Sequence, residues 1–103
     1  MIEPIKVTGT VYKVDEIKEY GQNGFRKHEV IVKAGDEKFP NPIKIEFTKD
    51  KIEESTQLSE GQEVEIDCHL NGAQWDKDGR TNFFLNLRGF NINVLSGHSV
   101  EPF

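Results

Sequence analysis

The chain has 103 residues, of which 30% are charged and 35% hydrophobic, and its formal net charge is -5. That length fits one compact domain, and that charge argues against a protein that coats duplex DNA through a broad basic surface. No stretch approaches the roughly 20 consecutive apolar residues of a membrane span, and the opening MIEPIKV lacks the basic region and apolar run of a signal peptide, so no membrane partner and a cytoplasmic location are expected.

Five segments alternate apolar and polar residues with period two, separated by turn signals. The first, IKVTGTVYKV, sets Ile5, Val7, Gly9 and Val11 against Lys6, Thr8, Thr10 and Tyr12, with Gly9 where a barrel strand could bend sharply. DEIKEYGQNG follows as a loop. The second, FRKHEVIVKA, should bury Val30, Val32 and Ala34 and turn Phe25, Lys27, Glu29, Ile31 and Lys33 outward. GDEKFPNP then turns the chain, its prolines barring a central strand. The third, IKIEFT, should bury Ile43, Ile45 and Phe47.

KDKIEESTQLSEG is the stretch with helix-like spacing, in which Ile52 and Leu58 could plug a barrel end before Gly61 restarts a strand. The fourth segment, QEVEIDCHL, puts Val64, Ile66, Cys68 and Leu70 on one face. Cys68 is the sole cysteine, so it reads as a small core residue and a disulfide framework is excluded. The fifth, FFLNLRGFNINV, places Phe83, Leu85 and Leu87 on the core face, then Phe90, Ile92 and Val94 at the opposite parity, so a bulge at Gly89 should reset the phase. Three strands, a short helix and a two-strand hairpin make the order of an all-β, five-stranded Greek-key barrel of the OB type, with its one helix between strands 3 and 4. An immunoglobulin-like sandwich would need about seven strands.

Charge is unevenly spread. Residues 1–50 hold nine Lys/Arg and nine Asp/Glu, whereas residues 51–103 hold four and nine. Glu53, Glu54, Glu60, Glu63, Glu65 and Asp67 run without an intervening base, so that side should repel phosphate. Between the last two strands, QWDKDGRTNFFLNL reads as a hairpin turning at Lys77-Asp78-Gly79-Arg80. Phe83 and Phe84 must point to opposite faces, so one of them meets water or a ligand.

The stretch SEGQEVEIDCHLNGAQWDKDGRTNFFL, preceded by KIEFTKDKIEE, resembles bacterial and phage single-stranded DNA-binding proteins of the OB type, and the resemblance covers roughly residues 5–94. It implies a stacking position at Trp75 and a strand-binding groove along the two hairpin legs. The family's Trp at the start of strand three is replaced by FPNP, with Phe39 the nearest aromatic, and its long Gly/Gln-rich acidic tail is missing. The terminal Glu101-Pro102-Phe103 is similar to that family's partner-docking tip without the aspartates; a frayed terminus is the alternative.

A base offers a π-face whatever its identity, and an aromatic stack is worth about 1–3 kcal/mol per base. Phe84, Asn86 and Arg88 share the outer face of the fifth strand, so Arg88 could meet a phosphate where Phe84 meets a base. Packing is the competing reading: Trp75 could cover the barrel end and Phe84 could sit in the interface of a homo-oligomer. Tyr20 and Phe25 flank GQNG in the first loop, which with the hairpin grips the ligand in OB modules. Lys27, Lys33 and Lys44 lie on outer faces of the second and third strands, although Glu29 and Glu46 beside them could pair with them instead. Lys77 and Arg80 complete the set at the hairpin turn.

His28, His69 and His98 are scattered without zinc-site spacing. DKDG echoes a calcium loop, but Leu87 stands where the bidentate Glu belongs. No nucleotide or nucleophile motif occurs, so neither an enzyme, a metal nor a cofactor is expected. The expectation is an OB domain over residues 1–95 with a short tail at 96–103. It would bind single-stranded DNA with little sequence preference. The alternatives are a protein-interaction OB module, such as a replication or assembly accessory subunit, and an RNA-binding OB domain.

Overall fold

A computed structural model describes residues 3–20, 24–35 and 38–96. Its elements are β1 (Ile5–Val14), β2 (Lys18–Tyr20), β3 (Phe25–Ala34), β4 (Asn41–Thr48), α1 (Lys51–Ser55), β5 (Glu63–Lys77) and β6 (Arg80–Ser96). Five strands close a ring, β1-β5-β6-β4-β3 and back to β1, which is the expected OB barrel. The sixth strand, β2, is an addition: the first loop is not irregular throughout, because Lys18–Tyr20 pairs back on the start of β3.

Closure depends on β1 serving two neighbours. Its first half pairs with β5, its second half with β3, and Gly9 stands in both ladders, opposite Val64 and Ala34. A Cβ at Gly9 would lie 2.8 Å from the Lys33 carbonyl carbon and 2.9 Å from Ala34 Cα, closer than side-chain atoms tolerate. Glycine is therefore required at this corner by backbone approach. β4 begins at Asn41, so Pro42 lies inside a strand after all. It is tolerated because β4 is paired there only with β3, opposite Lys33, and its other edge is open.

Alternation fills the ring with Val7, Val11, Val30, Val32, Ile45, Phe47, Val64, Ile66 and Cys68, while Ala34, Ile43, Leu87 and Ile92 pack against them partly buried. Ile52 of α1 and Leu58 after it are buried as the expected end plug. His28, one of the scattered histidines, is 1% exposed and ties this plug to the chain after β1. Its Nε2 donates to the Asp15 carbonyl at 2.8 Å, and its Nδ1 lies 2.7 Å from Ser55 Oγ.

The hairpin β5–β6 outgrows the barrel. β1 follows β5 only as far as Cys68, and β4 meets β6 in register only at Arg88. Beyond the pair Leu70–Leu87 the two legs run on to Lys77 and Arg80 as a two-stranded ribbon with no third strand. The extents of 59 × 34 × 24 Å and a radius of gyration of 15.3 Å reflect this arm, since about 13 Å is usual for such a length. Phe83 and Leu85 consequently have no core to enter: they are 74% and 76% exposed, against the expectation that they are core residues.

A bulge does reset β6, one residue later than expected. Gly89 stays in register with Cys68 and Asn91 with Asp67, so the unopposed residue is Phe90, which points away from the core. The glycine answers to packing: a Cβ there would meet Phe47 Cζ at 2.7 Å. Val94, expected in the core, is half exposed near the end of β6.

Candidate nucleic-acid interface

The turn that reverses the ribbon is Asp78-Gly79, with φ of 52° and 77°. Two consecutive left-handed residues make the two-residue turn whose twist matches paired strands, and Asp-Gly is suited to it. Thr81 Oγ1 donates to Asp76 Oδ1 at 2.8 Å just behind it. The tight turn fixes the register: Trp75 opposite Asn82, Gln74 opposite Phe83, Ala73 opposite Phe84.

This register sorts the ribbon's side chains into two faces. His69, Asn71, Ala73 and Trp75 of β5 share the outer face with Asn82, Phe84, Asn86 and Arg88 of β6. Trp75 and Phe84, on diagonal positions, lie 6.3 Å apart between ring centroids, tilted by 42°, and they are 53% and 47% exposed. Lys77 Nζ stands 5.6 Å from the Trp75 ring centroid, within cation–π range, and Arg80 is its cross-strand partner at the turn. Arg88 lies further inboard on the same face, exposed. Among the described residues, the side chains of Arg80 and Arg88 make no hydrogen bond or ion pair.

The barrel lysines are held differently. Lys27 Nζ lies 3.8 Å from Glu29 and 3.6 Å from Glu46, and Lys44 Nζ is 3.7 Å from Glu29. Glu46, outward by parity, is buried beneath this network. Lys33 Nζ sits 3.8 Å over the ring of Tyr12, a half-exposed aromatic on β1 to which the strand pattern assigned no role. Two cations, Lys77 and Arg80, therefore stand with two aromatics at the outer end of the hairpin, and Arg88 lies further along the same face, whereas three others are engaged within the barrel wall. Tyr20 and Phe25 are cross-strand partners in the β2–β3 hairpin; their side chains, and Glu101-Pro102-Phe103, lie outside the described residues. Phe39, the aromatic of the FPNP stretch, is 74% exposed.

The ribbon's other face carries Phe83 and Leu85. Near its root Leu70, Leu85 and Leu87 meet Ile5, Val7, Pro42 and Ile43 around an open groove of about 450 Å³. Sequence reasoning missed this second apolar face because it counted the whole fifth strand as barrel wall. Also unforeseen is the stacking of His69 on Phe90, with ring centroids 4.3 Å apart and planes at 22°. The signal for it in the sequence is Gly89, which marks the bulge without saying that Phe90 is the unopposed residue.

Burial first, and the neighbouring Asp67 charge second, push the Cys68 thiol up to about 11. A hydrogen bond from the Glu16 amide holds the Asp15 carboxyl below its ordinary value. Among the described residues, no group of three or more His, Cys, Asp and Glu side chains is placed to hold a metal ion, and no helix is long and apolar enough to cross a membrane.

Residues 6–93 match the model of a family described as Domain of unknown function (DUF3127), and the chain belongs to that family. No curated protein matches. Among solved structures the chain is similar to the mitochondrial single-stranded DNA-binding protein of S. cerevisiae, at 15% identity and a TM-score of 0.68 over 92% of this chain and 96% of that one. It is also similar to the single-stranded DNA-binding protein of Thermus aquaticus, at 20% identity and a TM-score of 0.72. That second match covers 94% of this chain and 52% of the Thermus protein. At these identities the likeness is one of fold.

Proposed function

We propose that this member of the DUF3127 family binds single-stranded DNA, with little sequence preference, along the outer face of the β5–β6 ribbon. One observation carries the reading. Trp75 and Phe84 stand half-exposed side by side on a ribbon that has no core to bury them, with Lys77 within reach of the Trp75 ring and Arg80 and Arg88 on the same hairpin unpaired among the described residues. Bases would stack on the two rings and phosphates would meet Lys77 and Arg80 beside them and Arg88 further inboard, a chemistry indifferent to base identity. The likeness of fold to two single-stranded DNA-binding proteins supports the choice of ligand. Lys44, the most exposed of the barrel lysines, is the one best placed to exchange its carboxylate for a phosphate, with Lys27, Lys33, Tyr20 and Phe25 as further contacts. Residues 1–95 would form the binding domain, free of catalysis and cofactor, and 96–103 a tail whose Glu101-Pro102-Phe103 end could dock a protein.

Trp75 is the single tryptophan, so its fluorescence tests the reading. Titration with oligo(dT) should quench it, and a duplex of equal length should compete poorly. An oligo(dT) titration without response, with no complex seen by gel shift, would refute it. The exposed Phe83 and Leu85 favour a second reading, a protein contact on the opposite face of the same ribbon. Under that reading Phe83→Asp abolishes association with a partner or a second copy and leaves oligo(dT) binding intact.

A further inference from the structure

The outer face of the hairpin does not end at Arg88. His69 is Arg88's cross-strand neighbour, and its ring is stacked on Phe90, the bulge residue. His69 is exposed and Phe90 half-buried, so the imidazole lies on the solvent side of the pair. A bulge turns an extra side chain to one face of the sheet, and here the extra side chain is an aromatic brought to the face that already bears Trp75 and Phe84. Beyond it, the outer face of β5 carries Asp67, Glu65 and Glu63 in succession, with Asp67 accepting from Asn91 at 3.0 Å. Aromatic and cationic groups therefore occupy one end of the face, and the other holds three carboxylates against one lysine, Lys6, whose Nζ is 3.6 Å from Glu65.

We propose that His69 and Phe90 form a second stacking platform, so that one nucleic-acid strand runs from Trp75 and Phe84 past Arg88 to His69 and stops at Asp67. This rests on the reading that the hairpin binds single-stranded nucleic acid. Phe84 and Phe90 are six residues apart on one strand, about 20 Å at strand rise. A strand must therefore span several nucleotides before it engages both platforms. Arg88 lies between them and would hold the phosphate of a linking nucleotide. The net negative charge past His69, where Lys6 offsets one of the three carboxylates, would repel the next phosphate, which sets the end of the track and fixes the footprint on one side.

The experiment is an oligo(dT) length series, from about 4 to 16 nucleotides as in other OB modules, read by Trp75 quenching on the full chain. For the wild type, affinity should rise in two steps with length. His69→Ala, an exposed substitution, should weaken the longer oligonucleotides by at least about fivefold, as loss of one stack does, and leave the shortest that still quench Trp75 unchanged. Phe90→Leu, which keeps an apolar side chain at the bulge, should do the same. Equal loss at every length would overturn the proposal, because His69 would then belong to the Trp75 platform. Unchanged affinity at every length, with Trp75 still quenched, would also overturn it and leave the hairpin reading standing. Absence of quenching by any oligonucleotide would refute the hairpin reading itself.

Discussion

Gly89→Ala tests whether the β6 bulge is shaped by the core beneath it. The new Cβ would lie 2.7 Å from Phe47 Cζ and 3.1 Å from Ile45 Cγ2. Carbon atoms prefer about 3.5–4.0 Å, so an atom must move by several tenths of an ångström or more. Neither neighbour has slack: Phe47 and Ile45 are fully buried, and position 89 is held in register opposite Cys68. Overpacking of this kind costs about 1–3 kcal/mol. The φ of Gly89 is not in the left-handed region, so alanine also restricts the unfolded chain, which offsets about 0.4–1 kcal/mol. The expected net loss is about 1–2 kcal/mol, or roughly 4–16 °C in Tm for a domain of this size. Urea unfolding followed by far-UV circular dichroism measures it, since Trp75 sits on the ribbon and reports the wrong place. A Phe47→Leu change should be less damaging in the Gly89→Ala background than alone, a coupling that a double-mutant cycle detects. An unchanged midpoint, or strict additivity with Phe47→Leu, would refute the packing explanation.

Trp75→Ala and Phe84→Ala should each weaken oligo(dT) binding by about 1–3 kcal/mol and leave stability within about 1 kcal/mol, as checked by fluorescence anisotropy and thermal melts. Phe83→Ala should be nearly silent in both assays; a loss of several kcal/mol in stability would put Phe83 back in a core. With Lys77, Arg80 and Arg88 as the phosphate contacts, log K should fall against log[salt] with a slope of about -2 for a single strand, and a flat response would remove the phosphate track. Raised to about 11, the Cys68 thiol should resist alkylation at pH 8 until the protein unfolds. Because its folded value lies above the unfolded value of about 8.5, its contribution to stability is full below that and is lost only as pH climbs toward 11.

Period-two alternation was sufficient for most of the barrel, because the inward positions of β3, β4, the first half of β5 and β1 as far as Val11 obey it; after Val11 a register shift turns Val14 to the core instead. It failed where strands leave the ring. Phe83 and Leu85 keep the core parity, but parity says which face a side chain takes and not whether anything covers that face. The ribbon's length depends on where β1 and β4 stop pairing, a long-range fact that a local pattern does not contain. Gly89 signalled the bulge, yet the phase of Phe90 turned on which of two adjacent residues was unopposed. β2 was hidden because three residues between turns carry no period. In the hairpin, the diagonal of Trp75 and Phe84 was legible from the turn, since Asp78-Gly79 fixes the register. The engagement of Lys27 and Lys44 by Glu29 and Glu46 was readable only as an alternative to solvent, because ion pairing depends on side-chain reach across strands.

The unflanked ribbon divides the molecule into two regions of unequal cooperativity. An isolated pair of strands is marginal in water, and residues 71–77 and 80–85 contribute no buried side chain. Their amide hydrogens should thus exchange with solvent through local openings that leave the ring intact, orders of magnitude faster than those of Val30, Val32 or Ile66. A ligand lying along the ribbon would protect these amides first. Calorimetry would register the binding as a rise in the melting temperature of the whole molecule, and hydrogen exchange would show that its protection is concentrated in the ribbon.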